Sequence, residues 1–209
     1  MKTISHRGYW ATQSEQNTLN AFERSFSLGL GTETDIRAYN GTLVVSHDHV
    51  NSKALLLDEF FALLHGDSKL LLALNIKEDG LQRMLLPLLA KNNIENYFLF
   101  DMSVPDAIAS IRHGLRVFTR HSDVEPLPAF YAHAVGVWMD SFFDETWIKS
   151  DVIASHISAG KDVCLVSPEL HGRPHLEFWG RLKLHPIYKS DRLILCTDHP
   201  EDAINFFSS

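Results

Sequence analysis

The chain has 209 residues and a formal net charge of −7, with 45% hydrophobic and 22% charged residues. This length and apolar content favour a single domain, residues 1–209, with a sizeable core, although two small domains stay open. Proteins bind nucleic acids through clustered Lys and Arg. The negative net charge and the lack of a run of basic residues therefore argue against a nucleic-acid partner. We also expect no secretory signal and no integral membrane segment, because no apolar run is long enough.

Two cysteines, Cys164 and Cys196, are too few for a disulfide framework. Both stand in apolar runs that predict strands, so we expect two small core residues. Reduced cysteines are typical of intracellular proteins, and we therefore predict a cytoplasmic location. The sequence leaves the oligomeric state open.

Short apolar runs alternate along the chain with longer segments of helical period. A strand at residues 3–5 and a helix at 17–29 come first, followed by strands at 32–38 and 43–47 that meet at Asn40-Gly41, a strong hairpin signal. A helix is predicted at 55–66. The later strands are expected at residues 69–77, 96–100, 115–120, 134–140, 161–167 and 192–197, and the later helices at 79–93, 103–114, 144–160, 175–185 and 200–209. Residues 125–133 predict a connector broken by proline.

The pattern amounts to about eight strand-then-helix units. Near-continuous apolar strands that alternate with helices imply a parallel sheet covered by helices. Eight such units most simply form an α/β fold in which the sheet closes into a (β/α)8 or TIM barrel. A chain of 209 residues is close to the lower size limit of that fold. An open doubly wound sheet is the alternative. The phosphate turn that such sheets often use is missing, because "GLGTET" supplies two glycines and precedes a strand.

In a barrel of this kind, chemistry lies at the carboxyl ends of the strands. Glu33 and Asp35 are two residues apart on one strand and so point to the same face. Two adjacent carboxylates repel each other unless one is protonated or a cation lies between them, and oxygen ligands suit Mg²⁺ or Ca²⁺ better than Zn²⁺. The other polar residues at strand ends are His6, Arg7, His47, Asp48, Asn75, Lys77, Asp101, Arg120, His121, Asp140, Ser167, Glu169, His171, Thr197 and Asp198.

Four segments carry a resemblance to a known family. They are "ISHRG", "NTLNAFERSFSLG", "TETDIRAYNGTLVVSHD" and "LILCTDHPEDAINFF". Together they resemble the glycerophosphodiester phosphodiesterases, whose pattern is H-R-G, then E-N-T-x-x-A-F, then E-x-D with a later H-D. The match is strong at the start of the chain and recognisable at the last strand.

The resemblance implies a TIM barrel that cleaves a small-molecule phosphodiester with the help of a divalent cation, Mg²⁺ or Ca²⁺, with Mn²⁺ as a further candidate. The implied roles are metal ligands for Glu33 and Asp35, acid–base catalysis for His6 and His47, and phosphate contact for Arg7 and Lys77. In the family mechanism a substrate hydroxyl attacks the phosphate, and water then opens the cyclic phosphate. One histidine accepts a proton and the other donates one, which imidazoles do near pH 7; the sequence does not assign the two roles.

Three departures from the family pattern stand out. Gln16 replaces the acid of E-N-T, and Asn75 replaces a metal-binding Glu in "LALNIK". An amide oxygen can bind Mg²⁺ or Ca²⁺ but brings no charge, so we expect weaker cation binding. The family insertion after the second strand is also missing, since only "HVNSKA" precedes the next helix.

The segment "CLVSPELHGRPH" supplies further candidates. Glu169 is predicted as an additional metal ligand, with a loop acid that caps the following helix as the alternative. His171 is predicted to bind substrate, and Arg173 could meet a phosphate or sugar.

We therefore predict a metal-dependent phosphodiester hydrolase acting on glycerophosphodiesters or related head-group or sugar diesters. One alternative is a phospholipase-like enzyme of the same superfamily, which should present an exposed apolar lip. Another is a non-catalytic barrel that binds phosphate esters after losing a metal ligand at Asn75. An aldolase-type barrel with Lys77 as a Schiff-base lysine would leave Glu33, Asp35 and the two histidines unexplained.

Overall fold

A computed structural model describes residues 1–50, 53–67 and 69–209. The predicted linker "HVNSKA" contains Asn51 and Ser52, which lie outside the described residues, as does Ser68. The chain divides into two compact units. The N-terminal unit is Ser5–Val117, and the C-terminal unit joins Met1–Ile4 to Phe118–Ser209.

Strands and helices alternate in the N-terminal unit, as the apolar pattern predicts. The strands are β1 (Lys2–His6, shared with the C-terminal unit), β2 (Gly31–Tyr39), β3 (Thr42–Val45), β4 (Leu55–Leu56), β5 (Leu72–Ile76) and β6 (Tyr97–Phe100). The helices are α1 (Leu19–Ser27), α2 (Leu57–Ala62), α3 (Gln82–Lys91) and α4 (Val104–Arg112). β2, β5 and β6 run parallel, whereas β3 and β4 add an antiparallel extension to β2.

Local sequence signals set the ends of these elements. The Thr18 hydroxyl caps α1 by accepting the N–H of Ala21 at 3.5 Å. β2 turns into β3 through Asn40 and Gly41, both at positive φ, which is the two-residue hairpin that Asn-Gly predicts. The predicted helix at 55–66 begins later than expected, because Leu55 and Leu56 pair with β3 before α2 starts.

Aromatic packing forms the core of the N-terminal unit. The rings of Phe22 on α1 and Phe60 on α2 lie 4.5 Å apart, and Phe26 and Phe61 extend the cluster. Phe22, Phe60 and Phe61 are buried. Burying a side chain of this size is worth roughly 1.5–3 kcal/mol, so the cluster fixes both helices within the unit that carries the predicted acids.

The C-terminal unit contains the second run of parallel strands. They are β7 (Phe118–Ser122), β8 (Gly136–Asp140), β9 (Asp162–Val166) and β10 (Leu193–Thr197), accompanied by helices α5 (Ser150–Ser158), α6 (Leu176–Lys183) and α7 (Pro200–Ser208). The strands follow one another in space from β7 to β10, and β1 lies next to β10. The buried Trp179 of α6 is the largest side chain of this unit's core, and Cys164 and Cys196 are buried on β9 and β10 as predicted.

Residues 123–135, between β7 and β8, contain neither helix nor strand, as the proline-broken pattern predicts. The predicted helix at 144–160 is instead divided into a short 3-10 helix, Glu145–Trp147, and α5. Asp144 caps the 3-10 helix by accepting the N–H of Thr146. Within the described part of the chain, no helix combines the length and the apolar character needed to cross a membrane.

Candidate active site

The loop after β1 begins with a tight turn. Arg7 and Gly8 have φ values of +57° and +81°, and the Arg7 N–H donates to the backbone oxygen of Glu33 at 3.0 Å. A Cβ on Gly8 would lie 2.7 Å from the Cβ of Ala21, so this position requires glycine for both reasons. The turn of the H-R-G motif thus brings the Arg7 side chain against β2.

Glu33 is buried within β2, at the third of its nine residues. Its Oε2 accepts the Arg7 N–H at 3.2 Å and lies 3.9 Å from His6 Nε2. Burial, together with the negative charge of Asp35, raises the pKa of the Glu33 carboxyl to about 7, although nearby positive charges oppose the shift. Near neutral pH this carboxyl therefore exists in both protonation states.

Asp35 is fully buried and held by two cations and an amide. Arg7 Nε lies 3.1 Å from Oδ2, and Lys77 Nζ lies 3.3 Å from Oδ1. Neither Arg7 Nε nor Asp35 Oδ1 has the alignment of a hydrogen bond, so both contacts are ion pairs. Asn17 Nδ2 donates to Oδ2 at 2.9 Å, and Asn17 Oδ1 accepts from Thr34.

Asn75 faces Asp35 from the neighbouring strand. The two residues are paired across β2 and β5, so their side chains share a face of the sheet. Asn75 is only 7% exposed, and its Oδ1 has no hydrogen-bond partner in the part of the chain that the structure describes. An orphaned buried acceptor costs about 1–3 kcal/mol, which a bound cation would offset.

The oxygen donors of Glu33, Asp35 and Asn75 fit a hard divalent cation such as Mg²⁺ or Ca²⁺. No group of three or more His, Cys, Asp or Glu side chains suited to a metal occurs among residues 1–50, 53–67 and 69–209. Asn75 contributes an amide oxygen, which such a group does not count. The three side chains therefore offer two carboxyl groups and one neutral amide oxygen to a cation.

His47 lies just beyond β3, and its side chain is 43% exposed. Its Nδ1 pairs with Asp48 Oδ1 at 2.8 Å, which lowers the pKa of the Asp48 carboxyl below its ordinary value. Arg37 donates to the backbone oxygens of His47 (3.0 Å) and Lys77 (3.3 Å). One guanidinium thus fixes the backbone at two predicted site residues.

Glu169, the predicted third ligand, belongs to the C-terminal unit. Its carboxylate accepts hydrogen bonds from the hydroxyls of Ser167 and Thr197 and from the Asp198 N–H at 3.1 Å. His175 Nδ1 lies 3.7 Å from the same carboxylate. These contacts already occupy much of its hydrogen-bonding capacity.

His171, also in the C-terminal unit, forms a pair with Asp140 at the end of β8. His171 Nε2 lies 2.7 Å from Asp140 Oδ1, which also accepts the Ser141 N–H at 2.7 Å. Arg173 is committed to Glu145 and to the backbone oxygens of Ser141 and Phe142. Asp140 therefore orients the His171 ring, whereas Arg173 braces the loop.

Two residues that contact the site, Asn17 and Arg37, were not predicted from the sequence. Asn17 was not among the candidate site residues, but its side chain donates to Asp35. The available signal was the segment Gln16-Asn17-Thr18, which matches the E-N-T part of the family pattern. Arg37 had no signal, because its role depends on backbone oxygens that the fold brings to it.

Comparison with solved structures identifies similar proteins over almost the whole chain. A glycerophosphodiester phosphodiesterase from Agrobacterium tumefaciens superimposes with a TM-score of 0.73 at 17% identity and covers 100% of both chains. One from Parabacteroides distasonis gives 0.71 at 16% identity, covering 99% of this chain and 96% of the other. A glycerophosphoryl diester phosphodiesterase from the same organism gives 0.70 at 14% identity, covering 99% and 86%.

No family model matches the sequence, and no curated protein matches it either. At 14–17% identity the structural likeness establishes the fold. It confirms the predicted α/β class and the (β/α)8 barrel, and it confirms at the level of the fold the resemblance carried by the four sequence segments.

Proposed function

We propose that this chain is a phosphoric diester hydrolase that acts on glycerophosphodiesters or closely related diesters. Three structurally similar proteins carry that activity in their names, and they cover at least 99% of this chain. The observation that carries the proposal is the arrangement around Asp35, where Arg7 and Lys77 place two cations within 3.3 Å of a buried acid. Fixed cations beside a buried acid suit the charge of a phosphoryl group in transfer.

Each group has a proposed role. Arg7 and Lys77 bind the phosphate, and His6 and His47 move protons to and from the oxygens that attack and leave. Asp48 orients His47 through its contact with Nδ1. His171, fixed by Asp140, is proposed to contact substrate.

Glu33, Asp35 and Asn75 would hold Mg²⁺, Ca²⁺ or Mn²⁺, with Glu169 as a further candidate. Such an ion, when bound, neutralises charge on the phosphoryl oxygens. Arg7 and Lys77 would share that task, because both lie within 3.3 Å of the Asp35 carboxylate. The single domain over residues 1–209 and the cytoplasmic location remain predictions from the sequence.

A second candidate, the phospholipase-like enzyme, is favoured by one observation. Leu127 and Phe143 are 87% and 77% exposed on the segments that follow β7 and β8. Asp123 accepts the N–H groups of Phe142 and Phe143, which fixes the segment that presents Phe143. Exposed apolar residues in a braced loop fit the apolar lip expected of an enzyme that meets lipid.

The test is hydrolysis of bis(p-nitrophenyl) phosphate and glycerophosphocholine with Mg²⁺, Ca²⁺ or Mn²⁺. We expect turnover that His6→Ala abolishes, whereas His113→Ala, an exposed histidine on the C-terminal end of α4, retains it. No turnover with any of the three ions, together with retained binding of a phosphate ester, would establish a binding protein instead.

A further inference from the structure

Three buried polar atoms around Asp35 have no hydrogen-bond partner among the described residues. They are one donor, Arg7 Nε, and two acceptors, Asp35 Oδ1 and Asn75 Oδ1. The Lys77 ammonium lies 3.3 Å from Asp35 Oδ1 but forms no hydrogen bond with it. An anion can satisfy an unpaired donor, and a cation can satisfy an unpaired acceptor. The atoms around Asp35 therefore offer places to ligands of both signs.

The protein balances the charge of Asp35 with its own side chains. Arg7 Nε lies 3.1 Å from one oxygen of this carboxylate, and Lys77 lies beside the other. The Arg7 guanidinium and the Asp35 carboxylate otherwise contact neutral amides, those of Gln16 and Asn17. Asp35 is fully buried, so water cannot replace either cation. Arg7 and Lys77 therefore supply the positive charge that this acid requires.

A ligand of one sign would disturb this balance. A phosphate bound by Arg7 and Lys77 would bring negative charge close to a buried acid and would draw on the two cations that compensate it. A divalent cation at Asp35 would be repelled by the same two side chains. Each ligand alone would therefore make its contacts against an opposing charge.

A phosphate and a cation together would avoid both penalties. Arg7 and Lys77 would direct their charge to the phosphate, while the oxygens of Asp35 and Asn75 would accept the cation. Arg7 lines a groove of about 840 Å³ in the N-terminal unit, which leaves room for a phosphate ester beside its guanidinium. Positive and negative charge would then enter the site as a pair.

We propose that a divalent cation and a phosphate ester bind this site with positive cooperativity, and that Lys77 sets the strength of the coupling. In the protein alone, its ammonium is a counterion of Asp35. A bound phosphate takes over that ammonium and releases the carboxylate oxygen for the cation. By linkage, each ligand tightens the binding of the other by the same factor. This inference rests on the proposed function, because it takes the phosphate to lie at Arg7 and Lys77.

Calorimetry of the wild-type protein is the first test. Ca²⁺ is titrated with and without saturating sn-glycerol 3-phosphate, and the ester is titrated with and without Ca²⁺. A titration without protein corrects for association of the two in solution. We expect each ligand to bind about ten- to a hundredfold more tightly in the presence of the other. A factor close to one, weaker binding, or no binding of Ca²⁺ in either titration overturns the inference.

A matched pair of lysine variants tests the role of Lys77. Lys77→Met removes the ammonium beside Asp35, whereas Lys91→Met removes one that pairs with Asp58 at the surface. Ca²⁺ alone should bind about three- to tenfold more tightly to Lys77→Met than to the wild type, and the coupling factor should fall toward one. Lys91→Met should keep both wild-type values. An unchanged Ca²⁺ affinity and coupling factor in Lys77→Met overturns the role of Lys77.

Hydrolysis assays separate this inference from the proposed function. sn-Glycerol 3-phosphate is a monoester, so its binding is measured without turnover of a diester. Coupled binding without hydrolysis of glycerophosphocholine supports the inference while the proposed function fails. Hydrolysis without coupled binding overturns the inference and leaves the hydrolase in place.

Discussion

The Lys77 ammonium lies 3.3 Å from Oδ1 of Asp35, a carboxylate with no exposed surface. Arg7 lies 3.1 Å from the other oxygen of the same carboxylate. With Glu33 ionised, the two acids of β2 are matched by two cations, so the protein itself balances their charge. Loss of either cation would leave a buried acid undercompensated, which is the most costly kind of change in an ion pair.

Lys77→Met tests that balance. We expect the free energy of unfolding at pH 7 to fall by about 2–3 kcal/mol, because Asp35 keeps only Arg7 as a charged partner. Urea unfolding provides the measurement. Lys91→Met is the control, since Lys91 pairs with Asp58 at the surface, and it should change stability by about 0.5 kcal/mol or less. Equal losses in the two variants would contradict a buried ion pair at Asp35.

Asn75→Asp tests the cation site without relying on activity. The substitution adds a third carboxyl group opposite Asp35, and ligand charge is a main determinant of Ca²⁺ affinity. We expect Ca²⁺ and Mg²⁺ to bind about tenfold more tightly than to the wild type, as measured by calorimetry. Asn205→Asp adds the same charge at an exposed position of α7 and should leave the affinity unchanged. If neither the wild-type protein nor Asn75→Asp binds Ca²⁺ or Mg²⁺, the site is not a metal site.

His156 makes stability depend on pH. It is buried, with its ring between Tyr131 OH (2.9 Å) and His121 (3.0 Å), and desolvation lowers its pKa to about 4. Because the ordinary histidine pKa is higher, about 6.5, the unfolded chain binds a proton first as the pH falls. The stabilisation is therefore full above about pH 6.5 and is lost as the pH drops toward 4.

We expect the free energy of unfolding to decrease by about 1–3 kcal/mol from this source between pH 7 and 4.5. Urea unfolding at both pH values should show a smaller decrease in His156→Asn than in the wild type. His113→Asn, at an exposed position, should keep the wild-type dependence. A pH dependence that is identical in all three proteins would rule out His156 as the group responsible.

Gly8→Ala should be one of the more destabilising small substitutions. The new Cβ would meet Ala21 Cβ at 2.7 Å and would also need a positive φ. Gly29→Ala is matched to it, because Gly29 has a φ of +70° but open space around the added carbon. We expect thermal unfolding to report a loss of about 1 kcal/mol for Gly29→Ala and at least about 3 kcal/mol for Gly8→Ala. Similar losses would show that the close approach to α1 is not the cause.

Much of the fold could be predicted because its signals are local. Apolar runs located β5 and β6, the Asn40-Gly41 pair fixed the hairpin, and the prolines of residues 125–133 excluded a helix there. The predicted start of the second helix at Leu55 was wrong, because α2 begins at Leu57. Leu55 and Leu56 fit a helical pattern equally well, and only their pairing with β3 decides the outcome.

The site was predictable only in part, because side-chain partners are set by the three-dimensional arrangement. The spacing of Glu33 and Asp35 placed both on one face, and both lie buried near Arg7. The sequence could not show that Lys77 would pair with Asp35, that Arg37 would hold two backbone oxygens, or that Glu169 would accept three hydrogen bonds. Most of these contacts join residues far apart in the chain, and no local pattern encodes those.

The division of the chain between the two units has a consequence for synthesis on the ribosome. The groups around Asp35 come from residues 7–77, so all of them are synthesised before residue 118 is added. The C-terminal unit instead unites Met1–Ile4 with β10, so this pairing must wait until nearly the whole polypeptide is translated. Domains generally fold in the order of their synthesis. We therefore expect the groups around Asp35 to assemble early on the nascent chain, and the C-terminal unit to complete its sheet last.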